Sequence, residues 1–431
     1  YKEAEMMLIT MLTTGTRGDT QPFMALGLEL KKKGYRVRIA ASEAYQNFIK
    51  SYGFEYAMLR GDVSKIIESG AADDAINADN PLKFFSSLKN EKMMGMMMNI
   101  QEDLHKACKG ADAIVYHPGA AIGYFAAKEM NIPSILASPF PMTPTKDYPA
   151  LIFYDRPRFG KIYNKLTHRI FEWGFWKVVN GPLKKYWVQQ HGTGPNDFSC
   201  PYPKQRTAAN PTIISSSPTV FSVSKDWPEH VHSYGNWFMD SDHSYQPEEK
   251  LERFLKAGEP PVYIGFGSVG DKKNAGETTA LVIKALKLAG KRGIINTGGS
   301  GMNHTEEIAE DILFVKDIPH EWLFPKMSAV VHHGGAGTTA ECLRAGVPSI
   351  IVPYGNDQFA WGRKIHELGA GAKAIPRKEL TAEKLSAAIS CTQVNEIRSR
   401  AQEIGKQIRA EKGAEKAAQV IIDALETFEN K

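Results

Sequence analysis

The stretch "HHGGAGTTAECLRAGVP", starting at His332, sets two imidazoles against a glycine cluster, and a helix-forming run follows at once. Gly334, Gly335 and Gly337 let an anion reach the backbone with no Cβ in the way. The helix beyond them offers unpaired N–H groups and the positive end of its dipole. His333 adds an imidazole N–H, and Thr338 and Thr339 add hydroxyls. These residue types in this order suit a phosphate. The competing reading is a tight strand-to-helix turn that happens to carry histidines.

Other nucleotide motifs can be weighed on the same page. No GxxxxGK[ST] is present, which argues against a P-loop. "GFGSVG" at Gly265 satisfies G-x-G-x-x-G after a strand, but the strand that follows reads "GIINTGG" and lacks the acidic ribose ligand of a dinucleotide site. An NAD-dependent oxidoreductase therefore stands as a distant alternative. Ser268, in the same loop, is expected at a strand end within reach of a phosphate.

Strands alternating with helices must position these groups. "MLITMLTTGTRGDTQPFMALGLELKKKGYRVRIAAS" reads as strand, loop, helix and strand, with the helix starting near Pro22 and stopping at Gly34. "ADAIVYHPG" and "IPSILASPF" repeat the theme. The grammar restarts near residue 261 with "PVYIGFGSVG", and "ILFVKDIP", "SAVVHHGG" and "SIIVPYG" supply further strands. This predicts an α/β chain of two Rossmann-like, doubly wound domains facing across a cleft, with ligands outside the carboxyl ends of the strands. The expected bounds are 1–225 for the first domain, 226–260 for a linker and 261–400 for the second domain. Residues 401–431 are expected as C-terminal helices.

Composition agrees with this. The chain has 431 residues, a net charge of +5 and four scattered cysteines without metal-ligand spacing. Reduced thiols in a cytoplasmic protein follow, and the mild charge does not suggest nucleic acid. No apolar run approaches the ~18 residues of a membrane span, and the polar start "YKEAEMM" lacks a secretory pattern.

"HHGGAGTTAECLRAGVPSIIVPYGNDQ" resembles the donor-binding signature of family 1 glycosyltransferases, nucleotide-sugar enzymes of the GT-B fold. "GTRGDTQPF" and "PHEWLFP" look most like the sterol 3-beta-glucosyltransferase branch and its glycopeptide-antibiotic relatives. The resemblance implies that His333 contacts the diphosphate, with Gly335, Ala336, Gly337 and Thr338 completing the cradle. It implies that Glu341 takes the ribose hydroxyls, favouring UDP, and that Asp357 and Gln358 hold the sugar. Gly15, Thr16, Arg17, Gly18 and Ile318 join the donor side. The tryptophan that stacks on uracil in plant members is replaced, with Asp317 nearest its place, so backbone from Lys316 to Pro319 is expected to meet the base; Trp322 is expected to pack. The last helix is expected to cross back and brace the first domain.

Inverting transfer needs a base that removes the acceptor hydroxyl proton during attack. Asp19 stands in the strand-to-helix loop where plant relatives carry a histidine, and the resemblance assigns it that role. Its other reading is a cap for the helix near Pro22. His117, in "YHPG", is expected to position the acceptor or assist the base, or else to be satisfied by loop backbone. The acceptor side is expected to include Phe140, Met93 and Met97, the methionines supplying an adaptable lining. The segment from Leu151 to Trp187 is aromatic and basic. It reads equally as a membrane-surface element or as a helical pair with a solvated basic face.

The expected function is inverting, metal-independent transfer of glucose from UDP-glucose to a lipophilic alcohol, a sterol first. Glycosylation of polyketide or flavonoid acceptors is the alternative, and a non-catalytic UDP-sugar or lipid binder the more distant one. No cofactor beyond the donor is expected, and the location is cytoplasmic with peripheral contact at a membrane.

Overall fold

Strand β1 (Leu8–Leu12) is buried along its whole length, as a strand covered on both faces must be. Its side chains alternate between two cores. Ile9 and Met11 join a cluster with Phe23, Leu26 and Leu30, while Leu12 joins another with Tyr116, Phe125 and Trp176. The computed structural model describes residues 6–60, 91–239, 245–267, 274–298, 302, 310–355 and 357–430. The chain divides into two units, Tyr1–Met239 with Glu411–Lys431, and Asp240–Ala410.

In the first unit β1 is followed by α1 (Arg17–Lys32), β2 (Arg36–Ser42), α2 (Gln46–Ser51), β3 (Glu55–Leu59), α3 (Glu91–Ala107) and β4 (Ala113–Tyr116). Then come α4 (Ile122–Met130), β5 (Ser134–Ser138), α5 (Lys161–His191), β6 (Thr212–Ser215) and β7 (Val231–Gly235). The seven strands pair in parallel in the order β3-β2-β1-β4-β5-β6-β7. Strand order reverses between β1 and β4, which makes their carboxyl ends the switch point where ligands collect in such sheets.

The second unit holds α6 (Glu249–Lys256), β8 (Val262–Gly265), α7 (Ala275–Leu288), β9 (Gly293–Asn296), β10 (Ile312–Val315) and α8 (His320–Leu323). It continues with β11 (Ala329–His332), α9 (Ala336–Ala345), β12 (Ser349–Ile351), α10 (Gln358–Glu367), α11 (Ala382–Thr392) and α12 (Asn395–Arg409). Its five strands are parallel in the order β10-β9-β8-β11-β12. Here the switch point falls between β8 and β11, where His332 is paired with Gly265.

The last helix, α13 (Gly413–Glu429), belongs to the first unit and packs on α1 and β7. Ala417, Ile421 and Leu425 recur every four residues and are buried with Phe23 and Met24. Glu411 ties the segment down, accepting hydrogen bonds from the hydroxyls of Ser217 at 2.6 Å and Thr219 at 2.9 Å.

Three sequence expectations change. The linker expected over 226–260 contains β7 and α6, each docked in its own unit, because Val231 and Leu251 are apolar residues with a core to enter. Helix α1 starts at Arg17 rather than near Pro22, because Thr16 and Asp19 form a capping box. The expected helical pair is the single 31-residue α5. Burial of Trp176, Val179, Leu183, Tyr186 and Trp187 carries the helix past Pro182.

Candidate functional site

At the switch point of the first unit, β1 delivers the turn Thr13–Thr16 and β4 delivers His117. Asp19, in the first turn of α1, folds back over that turn. Its Oδ2 accepts from the Thr16 backbone N–H at 2.8 Å and from the Thr16 hydroxyl at 3.2 Å. Gly15 makes room for this: its φ is +115°, and a Cβ there would lie 2.2 Å from Asp19 Oδ2. Asp19 is thus a helix cap, but the cap consumes only one of its oxygens.

The other oxygen faces a histidine. His117 Nε2 lies 3.9 Å from Asp19 Oδ1, and among the described residues that buried nitrogen has no hydrogen-bond partner. Gly119 N–H donates to His117 Nδ1 at 3.0 Å, and the Thr14 hydroxyl lies 2.9 Å from the same atom. With Nδ1 accepting, Nε2 carries the ring proton and points it toward the carboxylate. Burial moves the two groups in opposite directions. Desolvation raises Asp19 to about 6 against the pull of the Thr16 hydrogen bonds, and it lowers His117 to about 4. Near neutral pH the pair is a carboxylate beside a neutral imidazole. The Asp19 side chain keeps 31 % exposure, so a carboxylate of raised pKa stays accessible, two features that a general base uses.

Of the neighbouring donor-side candidates, Thr16 and Gly18 lie at the N-terminal end of α1. The Arg17 side chain is otherwise engaged, donating to Gln21 Oε1 at 3.3 Å and sitting 4.8 Å above the Phe48 ring. Phe140 is half-buried with its ring edge-on to Phe171. Met97 is half-buried on α3, and the Met93 side chain lies outside the described residues.

In the second unit, β11 ends at His332 and α9 begins at Ala336, so the glycine turn occupies the switch point. The two histidines differ. His332 is fully buried and accepts from Gly334 N–H at 3.2 Å, which holds the turn, and burial keeps it neutral. His333 is only half-buried, but its Nδ1 is a buried polar atom without a hydrogen-bond partner among the described residues. Burial lowers its pKa to about 4. Its ring lies against two glycines: a Cβ on Gly335 would meet Nε2 at 2.5 Å, and one on Gly267, at the end of β8, would lie 3.4 Å from Cε1. An unsatisfied ring nitrogen beside a helix N-terminus is an arrangement that a phosphate oxygen completes.

Ala336 and Gly337 open α9, and Thr338 and Glu341 stand three residues apart on one face. The Glu341 side chain is 14 % exposed and lies 4.0 Å from Arg344. Thr339 departs from expectation. Its hydroxyl turns back to Gly335 O at 2.9 Å, the ordinary helical bond of a buried threonine, and is not available to a ligand.

The end of β12 leads to the N-terminus of α10, where Asp357 stands at the N-cap position and its side chain accepts from Trp361 Nε1 at 3.2 Å. Gln358 Oε1 accepts from the backbone of Tyr354 at 2.8 Å and Gly355 at 3.3 Å. Ile318 is half-buried beyond β10, next to Asp317, whose φ of +54° marks a left-handed turn. Trp322 packs under Lys326, 3.8 Å from its ring. Ser268 lies outside the described residues.

Sequence reasoning missed Thr14 and Gly267, which meet histidines far away in the chain, and Gly119 and Trp361, which bond His117 and Asp357 two and four residues away. It also missed a group whose spacing gives no signal. His105, Glu129 and His191 offer ligand atoms all within 4.8 Å of one another, and the Tyr186 hydroxyl is 2.9 Å from His105 Nδ1.

Residues 9–149 match the family described as "Glycosyltransferase family 28 N-terminal domain", and residues 285–428 match "Erythromycin biosynthesis protein CIII-like, C-terminal domain". A sterol 3-beta-glucosyltransferase of Candida albicans is 34% identical over 98% of this chain, and one of Arabidopsis thaliana is 32% identical over 96%. The chain spans 28% of the Candida protein's length and 67% of the Arabidopsis protein's. Among solved structures, the glycotransferase of kitacinnamycin has a TM-score of 0.70 at 17% identity, covering 97% of this chain and 99% of that one. The glycosyltransferase VinC, crystallised in complex with DTDP, has a TM-score of 0.66 at 16% identity, covering 98% and 100%. These structural likenesses show the GT-B fold. The sequence likeness, sustained over nearly the whole chain, shows the family: this chain belongs to the sterol 3-beta-glucosyltransferases.

Proposed function

We propose that this chain transfers glucose from UDP-glucose to the 3-hydroxyl of a sterol, with inversion at the anomeric carbon. The observation that carries the reading is the Asp19 carboxylate, raised to about 6 and facing the neutral His117 N–H. Asp19 takes the proton of the acceptor hydroxyl as that oxygen attacks the anomeric carbon. The bond from that carbon to the diphosphate breaks, and UDP leaves with the electron pair. His117 steadies the carboxylate and stays neutral through the step. The departing charge is met by the N-terminus of α9 and by the imidazole of His333, neutral above pH 4. Glu341 takes the ribose hydroxyls, which favours UDP over a deoxyribose nucleotide. Asp357, held by Trp361, and the NH2 of Gln358, whose oxygen is committed to its own loop, take the sugar hydroxyls.

The acceptor class follows the family, in which the named relatives are sterol 3-beta-glucosyltransferases. The proposed setting is cytoplasmic, with the four cysteines reduced and no cofactor beyond the donor. The test is UDP release from UDP-glucose with cholesterol, ergosterol, a flavonol or no acceptor. Release that depends on a sterol is expected. Release with the flavonol alone moves the acceptor to aromatic natural products, and UDP binding without turnover on any alcohol replaces the enzyme with a binder.

A further inference from the structure

We infer that the outer face of α5 is a docking surface for an anionic phospholipid bilayer. Helix α5 is apolar on two sides. The inner side buries Trp176, Val179, Leu183, Tyr186 and Trp187. The outer side carries Ile162, Leu166, Ile170 and Trp173, which are 85%, 51%, 44% and 58% exposed, and Phe159 just before the helix is 74% exposed. At 3.6 residues per turn the four helical residues fall within an arc of about 80° and form a strip roughly 16 Å long. Single exposed apolar residues are ordinary on a protein surface, but a continuous strip marks an interaction site.

Charge selects the partner. Lys161, Lys165 and Arg169 recur every four residues along one flank of the strip. Lys177 lies on the strip's far end with its ammonium 5.6 Å from the Trp173 ring. Glu172, the one acidic residue of α5, is turned inward, buried and paired with Arg206. The outer face therefore presents apolar side chains beside a row of cations with no carboxylate of the helix among them. A second copy of this chain would bring like-charged rows together. A bilayer with anionic headgroups satisfies both features at once, with apolar residues entering the acyl boundary and cations meeting headgroups. Tryptophan is suited to that boundary. Among the described residues no helix is long and apolar enough to cross a membrane, so α5 would lie on the surface. The inference stands apart from the transfer reaction, because vesicle binding is read without turnover.

The experiment sediments the full chain with vesicles of phosphatidylcholine alone and of phosphatidylcholine mixed equally with phosphatidylserine. Binding is expected to the mixed vesicles and to weaken as salt rises. Combining Lys161→Glu, Lys165→Glu and Arg169→Glu should weaken it by roughly 100-fold or more. Ile162→Ser, Leu166→Ser and Trp173→Ser together should abolish it. Both variants alter positions outside the buried core, and each should keep its circular dichroism spectrum and its UDP release with detergent-dispersed sterol. The inference is overturned if the mixed vesicles do not bind the wild type, or if both variants sediment as it does. It is also overturned if the wild type is a dimer that the serine variant converts to a monomer, since α5 would then be a subunit interface.

Discussion

Asp19 and His117 owe their chemistry to one cause acting on opposite charges. Burial disfavours the ionised form of each, so the acid is raised to about 6 and the base lowered to about 4. Each was recognisable in the sequence as a polar residue at a strand end. That both belong to one region was legible too, but the 3.9 Å approach of Nε2 to Oδ1 was not, because the two residues lie far apart in the chain. The pH dependence follows with a definite sign. A general base must be unprotonated, so kcat/KM for sterol transfer should fall as pH drops through about 6, approaching tenfold per pH unit. A rate profile flat down to pH 4.5 would remove Asp19 from the role. Asp19→Asn should lower turnover by roughly 10² to 10⁴-fold while calorimetric UDP affinity stays unchanged, since the diphosphate and ribose candidates His333 and Glu341 lie in the other unit and the isosteric amide leaves the oxygen-facing turn of Thr16 in place.

At the scale of elements, the start of α1 does two jobs. The capping box satisfies the first turn of the helix, and the same hydrogen bonds lower the Asp19 pKa against desolvation. Thr16→Ala keeps the backbone N–H bond but deletes the hydroxyl. It should cost about 1 kcal/mol in thermal unfolding and move the acidic limb of the rate profile to higher pH, because a group that favours the carboxylate has gone. An unmoved limb would mean that the hydroxyl does not act on the carboxylate. Capping was legible as a function of Asp19, but its register was not: Pro22 drew the expected start too late, whereas it lies inside the helix, where it leaves one backbone hydrogen bond unmade. Helix α5 shows the converse error. Gly181 and Pro182 suggest a break, and only the buried side chains on both sides of them show why the helix continues.

At the scale of the molecule, α13 is the last element in sequence and part of the first unit's core. Ile421→Ala removes a fully buried side chain beside Phe23 and Met24. It should destabilise the first unit by about 2–5 kcal/mol, seen as an earlier unfolding transition, while UDP affinity is retained; an unchanged transition would show that α13 contributes little to that core. The glycine turn before a helix could be read from the sequence because it lies within one strand–turn–helix segment, where spacing sets the local geometry, whereas the roles of His333 and Glu341 rest on the family resemblance. The two-domain α/β class was legible for a similar reason, since buried parallel strands must be short apolar runs between helices. Tertiary structure alone decided which runs are neighbours. The pairing of β1 with β4 brings His117 to Asp19, and the pairing of β8 with β11 brings Gly267 to His333. Parallel strands join through backbone hydrogen bonds common to every residue, so nothing in their apolar side chains announces the partner; the order is settled only when the helices between them have packed.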